Sequence, residues 1–265
     1  MVTKIFIDGS YYIFYRYYAT VQWWKFQGGT DEDAVMENED FKRKFEELFE
    51  KKLLEVSKKL KVEGEYEMYI ALDCPRDEIW RNDITTNYKA TRVHNTNISS
   101  CFQYVMSKAL FEKQFVKRIL KMDRLEADDC IALSVKFMTR QFPDDDIFII
   151  TNDHDYLQLK SDKIHLINLK YQQVGEKKTT GNAEKDLFLK AVCGDKSDNI
   201  SKIFIKTKVG PKTAEKYFGN EGAFKELCEK DDEGTYGRYK HNLKLISFDE
   251  IPELYQVAYA EQYYV

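Results

Sequence analysis

Three stretches of the chain stay apolar without alternation: Ile5-Phe6-Ile7, Tyr69-Ile70-Ala71-Leu72 and Ile147-Phe148-Ile149-Ile150. Each is followed within three residues by an aspartate, Asp8, Asp73 and Asp153. Apolar runs of this length predict strands covered on both faces. Between them the period changes. Phe41, Phe45, Leu48, Phe49, Leu53 and Val56 recur at three- and four-residue intervals, which predicts an amphipathic helix over 40–60. Gly9-Ser10 opens a second helix with an aromatic run, Tyr11, Tyr12, Phe14, Tyr15, Tyr17, Tyr18, Trp23 and Trp24, most of it expected in the core. The acidic stretch 30–40 reads as an exposed loop or helix start, and 73–126 has helical period only in its latter half. A further helix is expected over 127–141, with Pro143 and three aspartates turning into the third strand. Another strand is expected over 163–169, and mostly helices from Ala183 onward. Strands alternating with helices predict an α/β fold, a central and mostly parallel sheet flanked by helices, with a C-terminal helical annex.

In open parallel sheets ligands sit beyond the carboxyl ends of the strands, so the three terminal aspartates are expected on one rim. Two more acidic clusters follow, Glu126-Ala127-Asp128-Asp129 at a helix start and Asp195-Lys196-Ser197-Asp198 in a polar turn, while Asp155 follows Asp153. Aspartate after a strand is common in turns and acids are favoured at helix N-termini, which accounts for any single cluster. It does not account for five in a fold-consistent order. Nine carboxylates gathered on one rim repel one another and call for cations, and hard oxygen ligands suit magnesium or manganese.

Composition changes the picture in two ways. The net charge of −4 argues at first against a nucleic-acid partner, yet setting the nine clustered carboxylates aside leaves 36 acids against 41 Lys and Arg, a net of +5. Five scattered cysteines without a Cys-x-x-Cys pair argue against a disulfide framework or a zinc knuckle. No apolar run approaches the ~20 residues of a membrane span, and no signal sequence is visible. The expectation is a monomer that is intracellular and cytoplasmic, or in the host cell or nucleus if viral, with no membrane partner.

Two further segments carry candidate chemistry. Arg76, Arg81, Lys89 and Arg92 interleave with Trp80 and Tyr88, a mixture that is usually a solvated face but beside a metal site suits a phosphate backbone and unstacked bases. Lys89 and Arg92 are candidates to stabilise charge developing at a scissile phosphate. Lys208-Val209-Gly210-Pro211-Lys212-Thr213-Ala214 reads as a tight turn feeding a helix, with backbone N–H groups and lysines free to meet a phosphate. The histidines form no site, and His154 is read as a neighbour of Asp153 and Asp155. Phosphate-loop, dinucleotide and serine-hydrolase motifs are absent.

Ile7-Asp8, Leu72-Asp73, Tyr88-Lys89-Ala90-Thr91-Arg92, Glu126-Ala127-Asp128-Asp129, Thr151-Asn152-Asp153-His154-Asp155, Gly194-Asp195-Lys196-Ser197-Asp198-Asn199 and Val209-Gly210-Pro211-Lys212-Thr213-Ala214 together resemble the structure-specific 5' nucleases. These are the flap endonucleases, the 5' nuclease domain of bacterial DNA polymerase I and the phage 5' exonucleases. The late run Tyr236–Ile246 with Phe248-Asp249 and Ile251-Pro252 is similar to the phage RNase H branch. The resemblance implies a PIN-like α/β nuclease fold in one domain, 1–265. It has a catalytic part over 1–180, a helical arch at about 76–115 and a helix-hairpin-helix duplex-binding part over 181–265. It implies a 5'-3' exonuclease and flap endonuclease using two Mg2+ ions, replaceable by Mn2+, to cut DNA at a 5' flap or nick, or an RNA–DNA primer hybrid. Replication accessory proteins are possible partners. Asp8, Asp73, Glu126 and Asp128 would hold one ion; Asp128, Asp153, Asp155, Asp195 and Asp198 would hold or orient the other, with Asp129 a ligand or close neighbour. Arg81, Tyr88, Lys89, Arg92, Gly210, Lys212 and Thr213 would meet nucleic acid. One departure stands out: Ser201–Lys208 lacks the glycine of the family's compact hairpin and looks extended, which counts against a bound K+ and the usual duplex contact.

Three rival readings are weaker. A haloacid dehalogenase-type phosphatase needs a second acid two residues after its nucleophile, where this chain has Ser10. A non-catalytic nucleic-acid-binding accessory protein has no reason to keep all nine acids. A single-strand ribonuclease of the PIN type is shorter and lacks the Gly-Pro-Lys-Thr turn.

Overall fold

The computed structural model describes residues 2–30, 34–91, 95–175 and 179–264. Its contacts divide the chain into two units: Met1–Cys74 with Val93–Asp153 and Ser161–Val174, and Pro75–Arg92 with His154–Lys160 and Gly175–Val265.

The first unit is built on β1 (Thr3–Asp8), α1 (Gly9–Phe26), α2 (Glu39–Leu54), α3 (Val56–Lys59), β2 (Tyr66–Ala71), α4 (Thr96–Ser107), β3 (Val116–Leu120), α5 (Ala127–Gln141), β4 (Ile147–Ile150) and β5 (Ile164–Ile167). The strands form one parallel sheet in the order β3-β2-β1-β4-β5. The register sets the rim: Asp8 lies beside Ala71, Ile7 beside Ile150, and Ala71 beside Leu120, so Asp8, Asp73 and Asp153 all leave the sheet at its carboxyl end.

Side chains of alternate residues separate the two faces of the sheet. Ile5, Ile7, Met68, Ile70 and Leu72 join Tyr12, Tyr17, Phe41, Phe45, Phe49 and Leu53 in the main core. There Tyr12 meets Phe49 edge-on at 4.9 Å and donates from its hydroxyl to the Phe49 carbonyl at 2.7 Å. On the other face Phe6 stacks on Tyr69, and the buried Lys4 pairs with Glu67 at 2.7 Å.

Two expectations need correcting. The helix expected over 40–60 breaks at Glu55 into α2 and α3. In α1 most of the aromatic run does meet the core, Tyr12 and Tyr17 within it and Tyr11, Tyr15 and Trp24 packed against it, while Phe14 and Tyr18 face solvent on the helix's outer side. Strand β3 was hidden in the sequence: Val-Lys-Arg-Ile-Leu at a sheet edge exposes its two cations and shows neither an apolar run nor clean alternation. In the stretch 30–40, Asp31, Glu32 and Asp33 lie outside the described residues, and Val35 and Met36 form a short buried turn.

The second unit is helical: α6 (Ala183–Cys193), α7 (Pro211–Ala214), α8 (Glu221–Asp231), α9 (Thr235–Ile246) and α10 (Glu253–Tyr264), with short 3-10 turns at 76–78, 80–83 and 154–159. Its core gathers Phe188, Val192, Ile203, Phe204, Ala214, Phe224 and Cys228. All five cysteines of the chain are free thiols. Among the described residues no helix is long and apolar enough to cross a membrane.

Candidate metal and nucleic-acid site

The acidic rim of the first unit is assembled by local rules. Asp8 ends β1 and caps α1, its carboxylate accepting from the Tyr11 amide at 3.0 Å. Gly9 permits the close turn, since a Cβ there would meet the Ala71 carbonyl oxygen at 2.6 Å. Asp73 is oriented from two sides: Ser10 Oγ donates to Oδ2, and the Ala127 amide at the start of α5 donates to Oδ1 at 2.8 Å. Glu126 is the N-cap of α5, and Asp129 reaches back to the Glu126 amide at 3.2 Å in a capping box. Asp128 accepts from the Asp129 amide at 2.8 Å.

Ligand oxygens of Glu126, Asp128 and Asp129 lie within 4.8 Å of one another, with Glu126 and Asp129 buried. A first helical turn offers unsatisfied N–H groups and the positive end of the helix dipole, which offsets part of this charge and leaves the rest to a cation. Asp153 is exposed beyond β4, its amide bonded to Thr151 Oγ1 at 3.1 Å.

The second unit holds the other three acids. Lys190 of α6 donates to both oxygens of Asp155 at 2.6 and 2.7 Å and pairs with Asp195 at 2.7 Å. Burial works against the charge on Lys190, but Asp155 and then Asp195 outweigh it and raise its pKa. Burial likewise favours the neutral form of Asp195, yet Lys190 and the Ser197 donors hold its pKa down to about 2. An ammonium thus already sits between two of the expected metal ligands, so these oxygens accept a cation. Asp198 is buried and its carbonyl accepts from the Lys89 amide at 2.9 Å, joining the 195–200 turn to the 87–89 segment. Gly194 makes that turn: φ is +77° and a Cβ would fall 2.4 Å from the Ile200 carbonyl oxygen.

The expected nucleic-acid residues divide. Gly210 accepts from the Thr213 and Ala214 amides, and Lys212 and Thr213 are exposed beside it. Arg81, expected at a nucleic-acid surface, is 2% exposed; its Nε donates to the Leu245 carbonyl at 2.8 Å and its guanidinium lies over the Trp80 ring at 4.5 Å. Tyr88 and Lys89 are also buried, the Lys89 ammonium 4.8 Å from the Tyr88 ring centre. The reason is common to all three: a guanidinium or ammonium that reaches a carbonyl or a ring face can be packed inside, taking its aromatic neighbours with it. Arg92 lies outside the described residues. An open pocket of about 440 Å³ in this unit is lined by His154, Asp155, Lys190, Pro211 and Lys212, and so runs from the acidic pair to the Gly-Pro-Lys turn.

Two contributors were not legible beforehand. Ser10 reads in sequence only as a helix-opening residue and a non-acid, and Lys190 sits inside an ordinary helical pattern, 35 residues from the aspartate it binds. Neither carries a sequence signal.

Comparison with known proteins gives the family. Residues 3–186 match the family model described as the 5'-3' exonuclease, N-terminal resolvase-like domain. Ribonuclease H of Enterobacteria phage T4 is 30% identical over 216 residues, covering 74% of this chain and 69% of that protein. Among solved structures, the bacteriophage T5 flap endonuclease in a pseudo-enzyme–product complex with DNA and metal ions is similar with a TM-score of 0.69 at 14% identity, over 98% of this chain and 97% of that one. The T5 5'-exonuclease with bound zinc is similar with a TM-score of 0.67 at 16% identity, again over 98% and 97%. The structural likenesses bear on the fold, while the family match and the phage T4 relative decide membership: the chain belongs to the 5' nucleases, the family of the 5'-3' exonuclease N-terminal domain.

Proposed function

We propose that the chain is a divalent-metal-dependent 5' nuclease that hydrolyses phosphodiester bonds near the 5' end of DNA flaps or nicks and of RNA primers on DNA, in replication or repair. The observation that carries this reading is the group Glu126, Asp128 and Asp129 at the start of α5, with Asp73 bonded to the same helical turn and Asp8 one strand over. The donor set is entirely carboxylate oxygen, which favours Mg2+ or Mn2+ over a softer metal. Asp8, Asp73, Glu126 and Asp128 would hold one ion, with Asp129 held in the cap beside Glu126; Asp128, Asp153, Asp155, Asp195 and Asp198 are the candidates that the resemblance implies for the other. Bound ions would supply acidified water and offset charge on the attacked phosphate and its leaving oxygen.

The chain's own groups prepare that chemistry. Ser10 and the Ala127 amide fix the orientation of the Asp73 carboxylate, and the Tyr11 amide fixes Asp8. Lys190 holds Asp155 and Asp195 in place and keeps Asp195 ionised. Gly210, Lys212 and Thr213 offer an exposed turn to a duplex phosphate, and Lys89 and Arg92 belong to the segment read as the base of the arch. The division into a catalytic part over 1–180 and a duplex-binding part over 181–265 remains part of the proposal. The Ser201 and Ile203 carbonyls already accept from Asn242 and Arg238, which supports a hairpin organised by side chains rather than by K+.

The test is cleavage of a 5'-labelled flap duplex with Mg2+, with EDTA, and by Asp128→Ala. Cutting at the junction that disappears in both controls is expected. Binding without cutting would leave a nucleic-acid-binding accessory role in its place.

A further inference from the structure

The glycine-free stretch Ser201–Lys208 is neither strand nor helix, yet its backbone polar groups are taken up by side chains from α8 and α9. Asn242 donates to the Ser201 carbonyl at 2.8 Å and Arg238 Nε to the Ile203 carbonyl at 2.7 Å. Asp231, 2% exposed at the end of α8, accepts from three successive amides: Ile205 at 3.1 Å, Lys206 at 2.9 Å, and Thr207. Thr235 Oγ1 donates to the same carboxylate at 2.8 Å, and Arg238 stands 3.6 Å from it. Burial alone would raise the Asp231 pKa; the Thr207, Thr235 and Ile205 donors reverse this and lower it, so the group is ionised at neutral pH. A carboxylate buried to this extent fixes the backbone around it, because no water can replace its partners.

What the anchor holds outward is a cationic strip with an apolar tip. Ile205 is 66% exposed, and Lys202, Lys206 and Lys208 around it are exposed, as are Lys212 and Lys216 further on. In 201–216 the only acid is Glu215. Cations spaced along a fixed backbone match phosphates, and an isolated aliphatic residue among them matches a groove edge. Lys206 meets the half-buried Asp232 at 3.2 Å, but the lysine itself is well exposed and such a pair is weak enough for its ammonium to be exchanged to a phosphate.

We propose that Asp231 is a positioning residue for duplex binding: it fixes Ile205–Thr207 so that Lys202, Ile205, Lys206 and Lys208 form a contact strip for a nucleic-acid duplex beside the Gly210–Thr213 turn. The proposal rests on the nuclease reading. Its test compares wild type, Asp231→Asn and the exposed pair Lys202→Ala/Lys206→Ala in flap cleavage with Mg2+ and in equilibrium binding with EDTA across a salt series. Both variants are expected to raise KM and Kd about tenfold with kcat within about twofold, and the lysine pair to flatten the slope of log Kd against log salt by about 2. Amide exchange in wild type gives an independent reading should Asp231→Asn fail to fold: protection at Ile205, Lys206 and Thr207 is expected, and free exchange overturns the anchor. Unchanged KM, Kd and salt slope in the lysine pair, with wild type active, overturn the strip and leave the nuclease reading intact. A wild type that neither binds nor cuts removes both.

Discussion

Asp128 lies half-buried between Glu126 and Asp129, and its carboxylate accepts from the Asp129 amide in the first turn of α5. Asp128→Ala is therefore expected to lower kcat by at least about 100-fold with little change in duplex Kd, since the loss falls on the reacting phosphate and not on binding. Steady-state cleavage beside a binding isotherm checks it. Gly194 makes a different kind of demand. Its φ of +77° and ψ of 175° lie in a region closed to side chains, and the Ile200 carbonyl fills the space a Cβ would need. Gly194→Ala is expected to cost about 3 kcal/mol or more and to disturb the adjacent Asp195, read as a lower urea midpoint together with lower activity.

At the scale of elements, the parallel sheet turns separate stretches of chain into one rim. The β1–β2–β4 register brings Asp8, Asp73 and Asp153 out at the same end, and the start of α5 is tied to that end by the bond from Ala127 to Asp73. The other face of the sheet carries a charge network instead. Glu67 is partly buried, which would raise its pKa, but Lys4, Tyr69 and Lys117 outweigh this and hold it at about 2. A carboxyl depressed in the folded state stabilises above its unfolded pKa, near 4.5, and the contribution fades as the pH falls through about 2. Because Glu67 is partly exposed, Glu67→Gln is expected to cost only about 1–2 kcal/mol at pH 7. That difference from wild type should shrink between pH 4.5 and 2 in urea unfolding across a pH series.

At the scale of the whole molecule, the contact-defined units cut across the sequence, with Asp8, Asp73, Glu126, Asp128, Asp129 and Asp153 in one and Asp155, Asp195 and Asp198 in the other. Crowded carboxylates destabilise the metal-free fold, and a metal bound only by the native state adds about 2.7 kcal/mol at a hundred times its Kd. Mg2+ is expected to raise the Tm of wild type. Asp128→Ala is expected to melt higher than wild type in EDTA and to lose the Mg2+ response, which calorimetry with and without the ion would detect. The chain by itself determined the strands at 5–7, 69–72 and 147–150, the helix starting at Ala127 and the grouping of acids at its first turn, because apolar runs, caps and clusters are local patterns. It also carried the family likeness, in motifs whose order survives in sequence. Only the tertiary structure decided that Arg81, Tyr88 and Lys89 turn inward, that Lys190 lies between Asp155 and Asp195, and that β3 closes the sheet edge. It also decided that the glycine-free loop hangs from Asp231. Each of these depends on a partner tens of residues away, and a cation's side chain reads the same in sequence whether it ends in solvent, on a ring face or between two carboxylates.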